Sequence, residues 1–391
     1  DSRVRFSEEH QNVPTTRSTD TDKIQGKQKK LMANAELNET NLKSCLSSVV
    51  DPVFEKPLSV SGFLKSAIAD DSSRVSVEIE LPVPSYPKES ELSKLIQTTI
   101  QQAFPDCQDI SIKYSANIRG KQSGGRIGLN VKNIIAVGAG KGGVGKSTVA
   151  ASLAYALQQF GARVGLVDAD VYGPSIPHLV GTSEKPVAQE FQNKDGQAVT
   201  RIVPVEARGL KVMSMAFFVE PDQAVIWRGP MLHKAITQFL QDTEWGELDY
   251  LIIDMPPGTG DVSLTLSQLI DLAGAVVVCS PQKVALLDAV KAVQMFRQVK
   301  IPVLGIVENM SGDVFGRGGA QEKGKELQIP CLGEIPMNAE IREKSDSGNI
   351  SELLTEGLES QQYLLKVAEN TAIEIARTLI EKPSRPPLEI L

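Results

Sequence analysis

The sequence predicts an α/β protein: a doubly wound, mostly parallel sheet preceded by a smaller α+β unit. Three observations predict it. From Val131 onward, short apolar strand-like runs alternate with helical stretches. That alternation implies right-handed crossovers, with helices covering a parallel sheet on both faces. A glycine-rich turn ending in Lys-Ser-Thr joins the first such run to the first helix. The length, 391 residues, is enough for two or three domains, or for one large domain and a small one.

The elements follow in chain order. Residues 1–37 are polar and aperiodic, with Arg, Glu and Asp mixed among Ser, Thr and Gln, and are expected to form a disordered tail. Residues 38–118 form the small unit. There Leu42, Cys45, Leu46, Val49 and Val50 share a helical face. Val75, Val77, Ile79 and Leu81 alternate as in a half-buried strand. Leu92, Leu95, Ile96 and Ile100 recur at helical spacing, and Ile110, Ile112 and Tyr114 alternate again. Residues 119–130, with Gly120, Gly124, Gly125 and Gly128, read as a flexible linker. The large unit, 131–382, offers strands at 134–137, 164–167, 250–253, 276–279 and 303–307 and helices at 147–160 and 286–299. The polar stretch 183–197 reads as an exposed loop, and a last helix is expected over 360–380, before a tail at 383–391.

Composition narrows the function classes. The chain carries 41 Lys+Arg against 48 Asp+Glu, a net charge of −7, which argues against binding nucleic acid by bulk charge. The longest apolar run, 273–279, falls far short of the roughly 18–20 residues of a membrane span. A last helix that balances Lys366, Arg377 and Lys382 against Glu369, Glu374 and Glu381 lacks the basic face of a membrane-surface helix. Neither nucleic acid nor membrane is therefore expected as a partner. Cys45, Cys107, Cys279 and Cys331 are widely spaced, with no CxxC pair, which suits a reducing cytoplasm.

Three motifs carry chemistry. Gly140-Lys141-Gly142-Gly143-Val144-Gly145-Lys146-Ser147-Thr148 fits G-x-x-x-x-G-K-[ST] between a strand and a helix. Its glycines let successive N–H groups turn around phosphate oxygens, and the helix adds its positive end. Lys146 is expected to reach the β- and γ-phosphates of ATP, and the Ser147 hydroxyl to ligate Mg²⁺. Asp168-Ala169-Asp170 closes the next strand, where carboxylates face the ligand crevice of a doubly wound sheet. Leu251-Ile252-Ile253-Asp254 is an apolar strand ending in an acid; Asp254 and Asp168 are expected to hold Mg²⁺ through water. The Pro256-Pro257-Gly258-Thr259-Gly260 turn that follows is placed to sense the γ-phosphate.

A second lysine in the phosphate loop, Lys141, resembles the mark of the deviant-Walker ATPases, which include the nitrogenase iron protein and the septum-positioning and plasmid-partition ATPases. Within that class, the 168–175 run, Trp227-Arg228-Gly229-Pro230-Met231, the 254–261 run and Val307-Glu308-Asn309-Met310 resemble the Mrp family of iron–sulfur cluster carrier ATPases. Val50-Asp51-Pro52 and Val60-Ser61-Gly62-Phe63 resemble the small domain often fused to them. The resemblance implies an ATP-hydrolysing homodimer that passes clusters to apoprotein clients or works with iron–sulfur assembly factors. It implies that Lys141 crosses the dimer interface to the partner's γ-phosphate and that Asp170 positions the attacking water. It also implies that Asn309 contacts adenine beside the Ile335-Pro336 turn.

The sequence departs from the family at the cluster site. The family's CxxC after the Asn-Met pair is missing: residues 311–319 read Ser-Gly-Asp-Val-Phe-Gly-Arg-Gly-Gly, and Tyr86 replaces a cysteine before Pro87. A bridging [4Fe–4S] cluster asks for four thiolates. Cys279 and Cys331 are the remaining candidates, and each reads more readily as a buried hydrophobe. The alternative is a cluster-free dimeric ATPase switch that acts through protein partners or a cysteine-bearing paralogue.

Overall fold

The structure, a computed structural model, describes residues 36–70, 74–121, 127–171, 173–192, 196–218, 229–258 and 261–381. The expectations for residues 1–35, the linker centre at 122–126, Tyr172, Trp227-Arg228, Thr259-Gly260 and the 383–391 tail lie outside these. The chain divides into two compact units: one reaches Glu80 and resumes over Lys88–Ser115, and the other comprises Leu81–Pro87 and everything from Ala116.

The first unit contains α1 (Glu39–Leu46), α2 (Leu58–Ser61), β1 (Leu64–Asp70), β2 (Arg74–Leu81), α3 (Glu89–Ala103) and β3 (Asp109–Ala116). The strands form one sheet in the order β1-β2-β3. The alternation along β2 buries Val75, Val77, Ile79 and Leu81, and α3 buries Leu92, Ile96 and Ile100 completely. Each such side chain contributes on the order of 1.5–3 kcal/mol. The first helix is shorter than its apolar face suggests. It stops at Leu46, and Val50 is about half exposed in a bridge to Pro57. Asp51 explains the stop: its buried Oδ1 accepts from the N–H groups of Val53 and Phe54 at 2.9 and 2.7 Å, a turn that competes with helix.

The second unit contains β4 (Val131–Gly138), α4 (Lys146–Gln159), β5 (Val164–Asp168), α5 (Ile176–Val180), β6 (Val187–Gln192), β7 (Ala198–Val203), β8 (Val205–Ala207) and β9 (Leu210–Ser214). After these come α6 (Gly229–Gln241), β10 (Leu248–Asp254), α7 (Asp261–Leu269), β11 (Gly274–Cys279), α8 (Lys283–Gln298), β12 (Val303–Ser311), α9 (Gly319–Leu327), β13 (Cys331–Pro336), α10 (Ala339–Asp346) and α11 (Glu359–Glu381). Eight strands form one sheet in the order β13-β12-β11-β4-β10-β5-β9-β8. All neighbours are parallel except the edge pair β8–β9. That pair is joined by Arg208-Gly209, both at positive φ (51° and 81°), the backbone of a type I′ turn.

The sheet is doubly wound. From β4 the chain moves outward to β5 and β9, then returns and steps the other way through β10, β11, β12 and β13. With right-handed crossovers, the two directions of winding put their helices on opposite faces. The central strands are accordingly buried on both faces, and β10 is buried at every position. One expectation is corrected here. The stretch expected as an exposed loop, 183–197, is exposed but not all loop: Val187–Gln192 form β6, which pairs antiparallel with β7. Its residues are mostly exposed, so the hairpin leaves no buried face for hydrophobic alternation to reveal.

Candidate nucleotide site

Sheet register brings the motifs together. Asp254 ends β10 and sits directly opposite Asp168, the end of β5, and opposite Val137 on β4. The glycine-rich loop leaves β4 one residue later. Two acids and the loop therefore meet at the carboxyl edge, where the strand order reverses.

The loop's shape depends on close backbone approach. A Cβ at Gly140 would lie 1.9 Å from the carbonyl oxygen of Asp288 in α8. Gly145 caps α4 with φ 79°, and a Cβ there would lie 2.2 Å from Nδ2 of Asn309. Only glycine meets both conditions. Among the described residues, none of the N–H groups from Lys141 to Lys146 has a protein acceptor. A run of free donors at a helix N-terminus is an anion site.

Lys146 is buried among carboxylates. Its Nζ donates to Asp254 Oδ1 at 2.6 Å and to Ser147 Oγ at 3.2 Å, and lies 3.7 Å from Asp170 Oδ2. Asp254 is fully buried, and its second oxygen, Oδ2, has no hydrogen-bond partner among the described residues. Burial pushes the Asp254 carboxyl above the ordinary carboxylate range, and Lys146 pulls it back down. Asp168 is raised too, to about 7, by burial first and by repulsion from Asp254 second. It accepts from Ser214 Oγ (2.9 Å) and the N–H groups of Ile176 (3.1 Å) and Asp170 (3.2 Å), which oppose that rise. Asp168 thus also ties β9 and the start of α5 to the site. Asp170 Oδ1 accepts from Gly173 N at 3.3 Å.

A cleft of about 360 Å³ opens over the loop. Lys141, Gly142, Gly143, Gly145, Lys146, Ser147, Thr148 and Asp170 line it. Asn309 does not line this cleft: it is buried, and its Nδ2 donates to the Val144 carbonyl at 2.9 Å. Pro336 ends β13 and pairs with Ser311 two residues beyond Asn309, so both expected base contacts stand at neighbouring strand ends. The cleft also takes in Ser175, which ends the 168–175 run, and His178, Ser345 and Asp346, which the sequence motifs do not include. His178 lies one residue beyond Pro177, close behind the acidic motif, and that proximity was a usable signal. Ser345 and Asp346 had none. They arrive because Gly181 and Gly348 pack backbone to backbone, with room for no Cβ.

The cysteines are placed less favourably for ligation. Cys279 is buried, and desolvation pushes its thiol up to about 12. Cys331 is half-buried and also raised, chiefly by burial. Beyond the Asn309-Met310 pair, the N–H groups of Gly318 and Ala320 donate to Glu308 at 2.7 and 2.6 Å, and Glu308 so caps α9. Among the described residues no cluster of three or more His, Cys, Asp or Glu is arranged to hold a metal ion.

A strand–glycine loop–helix with a buried loop lysine and an acid ending the neighbouring strand defines a P-loop NTPase. The match of a family model agrees: residues 130–372 fit the ParA family described as NUBPL iron-transfer P-loop NTPases, and the chain belongs to that family. An iron–sulfur cluster carrier protein from Deinococcus radiodurans is 43% identical over 364 residues, covering 90% of this chain and all of that one. One from Haemophilus influenzae is 42% identical, covering 83% and 88%. A solved nucleotide-binding protein from Archaeoglobus fulgidus, in complex with ADP, is 39% identical, with a TM-score of 0.49, covering 57% of this chain and 89% of that one.

Proposed function

We propose that this protein is a Mg²⁺-dependent ATPase that works as a homodimer and passes iron–sulfur clusters to apoproteins. The observation that carries the ATPase half is the loop of free N–H groups beside Lys146, Asp254 and Asp170. Membership of the iron-transfer family supports the cluster half. The cluster is cargo in this reading, handed on and not retained.

Each residue has a task. The loop amides hold the phosphates, and Lys146 exchanges its carboxylate partners for β- and γ-phosphate oxygens. The orphaned Oδ2 of Asp254 and the Ser147 hydroxyl fit a hard cation held directly or through water, with Asp168 behind them. Bound there, Mg²⁺ would neutralise charge on the β- and γ-phosphates. Asp170 orients the attacking water, and Thr148 completes the first turn of α4. Lys141 makes no ion pair with any described residue, which suits a side chain that reaches a second subunit's γ-phosphate. Asn309 and Pro336 frame the base.

The burial of Cys279 and Cys331 favours a second reading, in which the chain is the ATPase switch and a cysteine-bearing partner or paralogue holds the cluster. One experiment separates the two. The protein is reconstituted anaerobically with iron and sulfide, and its iron, sulfide and visible spectrum are measured before and after mixing with an apo-ferredoxin. A chromophore that moves to the ferredoxin supports the carrier. A colourless protein that hydrolyses ATP supports the switch.

A further inference from the structure

We infer that Asn309 is a positioning residue for phosphate binding: from the end of β12 it sets the orientation of the Val144–Gly145 peptide in the phosphate loop. This rests on the proposed nucleotide site and assigns a task distinct from contact with the base.

A trans peptide is planar, and its C=O and N–H point to opposite sides. The Val144 carbonyl is held by Asn309 Nδ2 at 2.9 Å. The Gly145 N–H must therefore point away from Asn309. Gly145 lines the phosphate cleft, and Asn309 does not. The N–H so oriented has no acceptor among the described residues and faces the side where a phosphate would sit. With φ at 79°, Gly145 is the residue about which this peptide turns most freely. A flip would present a carbonyl to an anion and remove a donor from it.

Asn309 is itself fixed. It is buried, Glu308 before it is locked onto the start of α9, and Met310 after it is held at φ 61°, a left-handed conformation. Ser311 Oγ then donates to Glu334 Oε1 at 2.7 Å. The asparagine amide thus stands on a rigid strand end, and the loop it holds is rich in glycine. That division of labour is the reverse of a loop selecting its own shape.

The test uses a ligand without a base. Binding of ATP and of tripolyphosphate to the full chain is measured by calorimetry for wild type, Asn309→Asp and Asn309→Ala, with folding checked by thermal melting. Asn309→Asp keeps the shape but puts an acceptor against the Val144 carbonyl. The inference predicts that both variants lose affinity for tripolyphosphate about ten-fold or more, in keeping with a hydrogen bond to a charged group, and that ATP loses at least as much, any excess reporting the contact to the base. Unchanged tripolyphosphate binding with weakened ATP binding would overturn it and leave only a contact to adenine. If the wild type itself bound neither ligand, the nucleotide-site reading would fail instead. Should neither variant fold, the Gly145 amide resonance of the wild type serves: it must shift on titration with tripolyphosphate, and a stationary resonance overturns the inference.

Discussion

Lys146 lies between Asp254 and Asp170, and an arriving phosphate competes with both for its ammonium. Removing it leaves buried carboxylates facing one another. Lys146→Ala should abolish ATP binding in equilibrium dialysis. It should also lower stability by about 3 kcal/mol in urea unfolding, the cost of breaking a buried pair. Asp168 makes a different prediction. Its folded pKa, about 7, lies above its ordinary value of 3.8, so between those values the folded state binds more protons than the unfolded state. Its contribution to stability therefore falls as pH rises through that window and levels off above it. Asp168→Asn removes the ionisation and keeps a pH-independent offset from its altered hydrogen bonds. The difference in Tm, variant minus wild type, should climb from pH 4 to pH 7 and then flatten. A flat difference throughout would mean that the carboxyl is not held protonated.

At the scale of elements, the carboxyl ends of β4, β5 and β10 assemble the site, and β12 supports it. Glu308 caps α9 with both oxygens in a buried setting. Glu308→Ala leaves two N–H groups without acceptors and should cost about 2–3 kcal/mol, read as a lower urea midpoint with an unchanged slope. The central strands β4, β5, β10, β11 and β12 and the phosphate loop were legible because apolar runs and glycine spacing are local signals. β10 announces itself as Leu251-Ile252-Ile253-Asp254, and the loop as nine consecutive residues. The hairpin β6–β7 was not legible, because exposed strands carry no burial pattern. The start of α1 was legible and its end was not, since the Asp51 turn outcompetes Val49 and Val50. Ser345 and Asp346 reach the cleft through a glycine–glycine contact between distant segments, and nothing in their local sequence records that. Asn309 was picked out by its motif, but its bond to Val144 required the fold.

The whole molecule joins a phosphate-binding α/β unit to a small α+β unit, and no helix among the described residues is long and apolar enough to cross a membrane. On the proposed function, the carboxyl edge of the large sheet hydrolyses ATP, with Asp170 acting on the attacking water and not on nucleotide affinity. The most direct measurement is phosphate release alongside ATP affinity for wild type and Asp170→Ala. The predicted result is wild-type turnover, and a variant that binds ATP within a few-fold but releases phosphate at least about 100-fold more slowly, as loss of a positioned general base or water-orienting group entails. Wild-type turnover by Asp170→Ala, or a wild type that does not bind ATP, would contradict it.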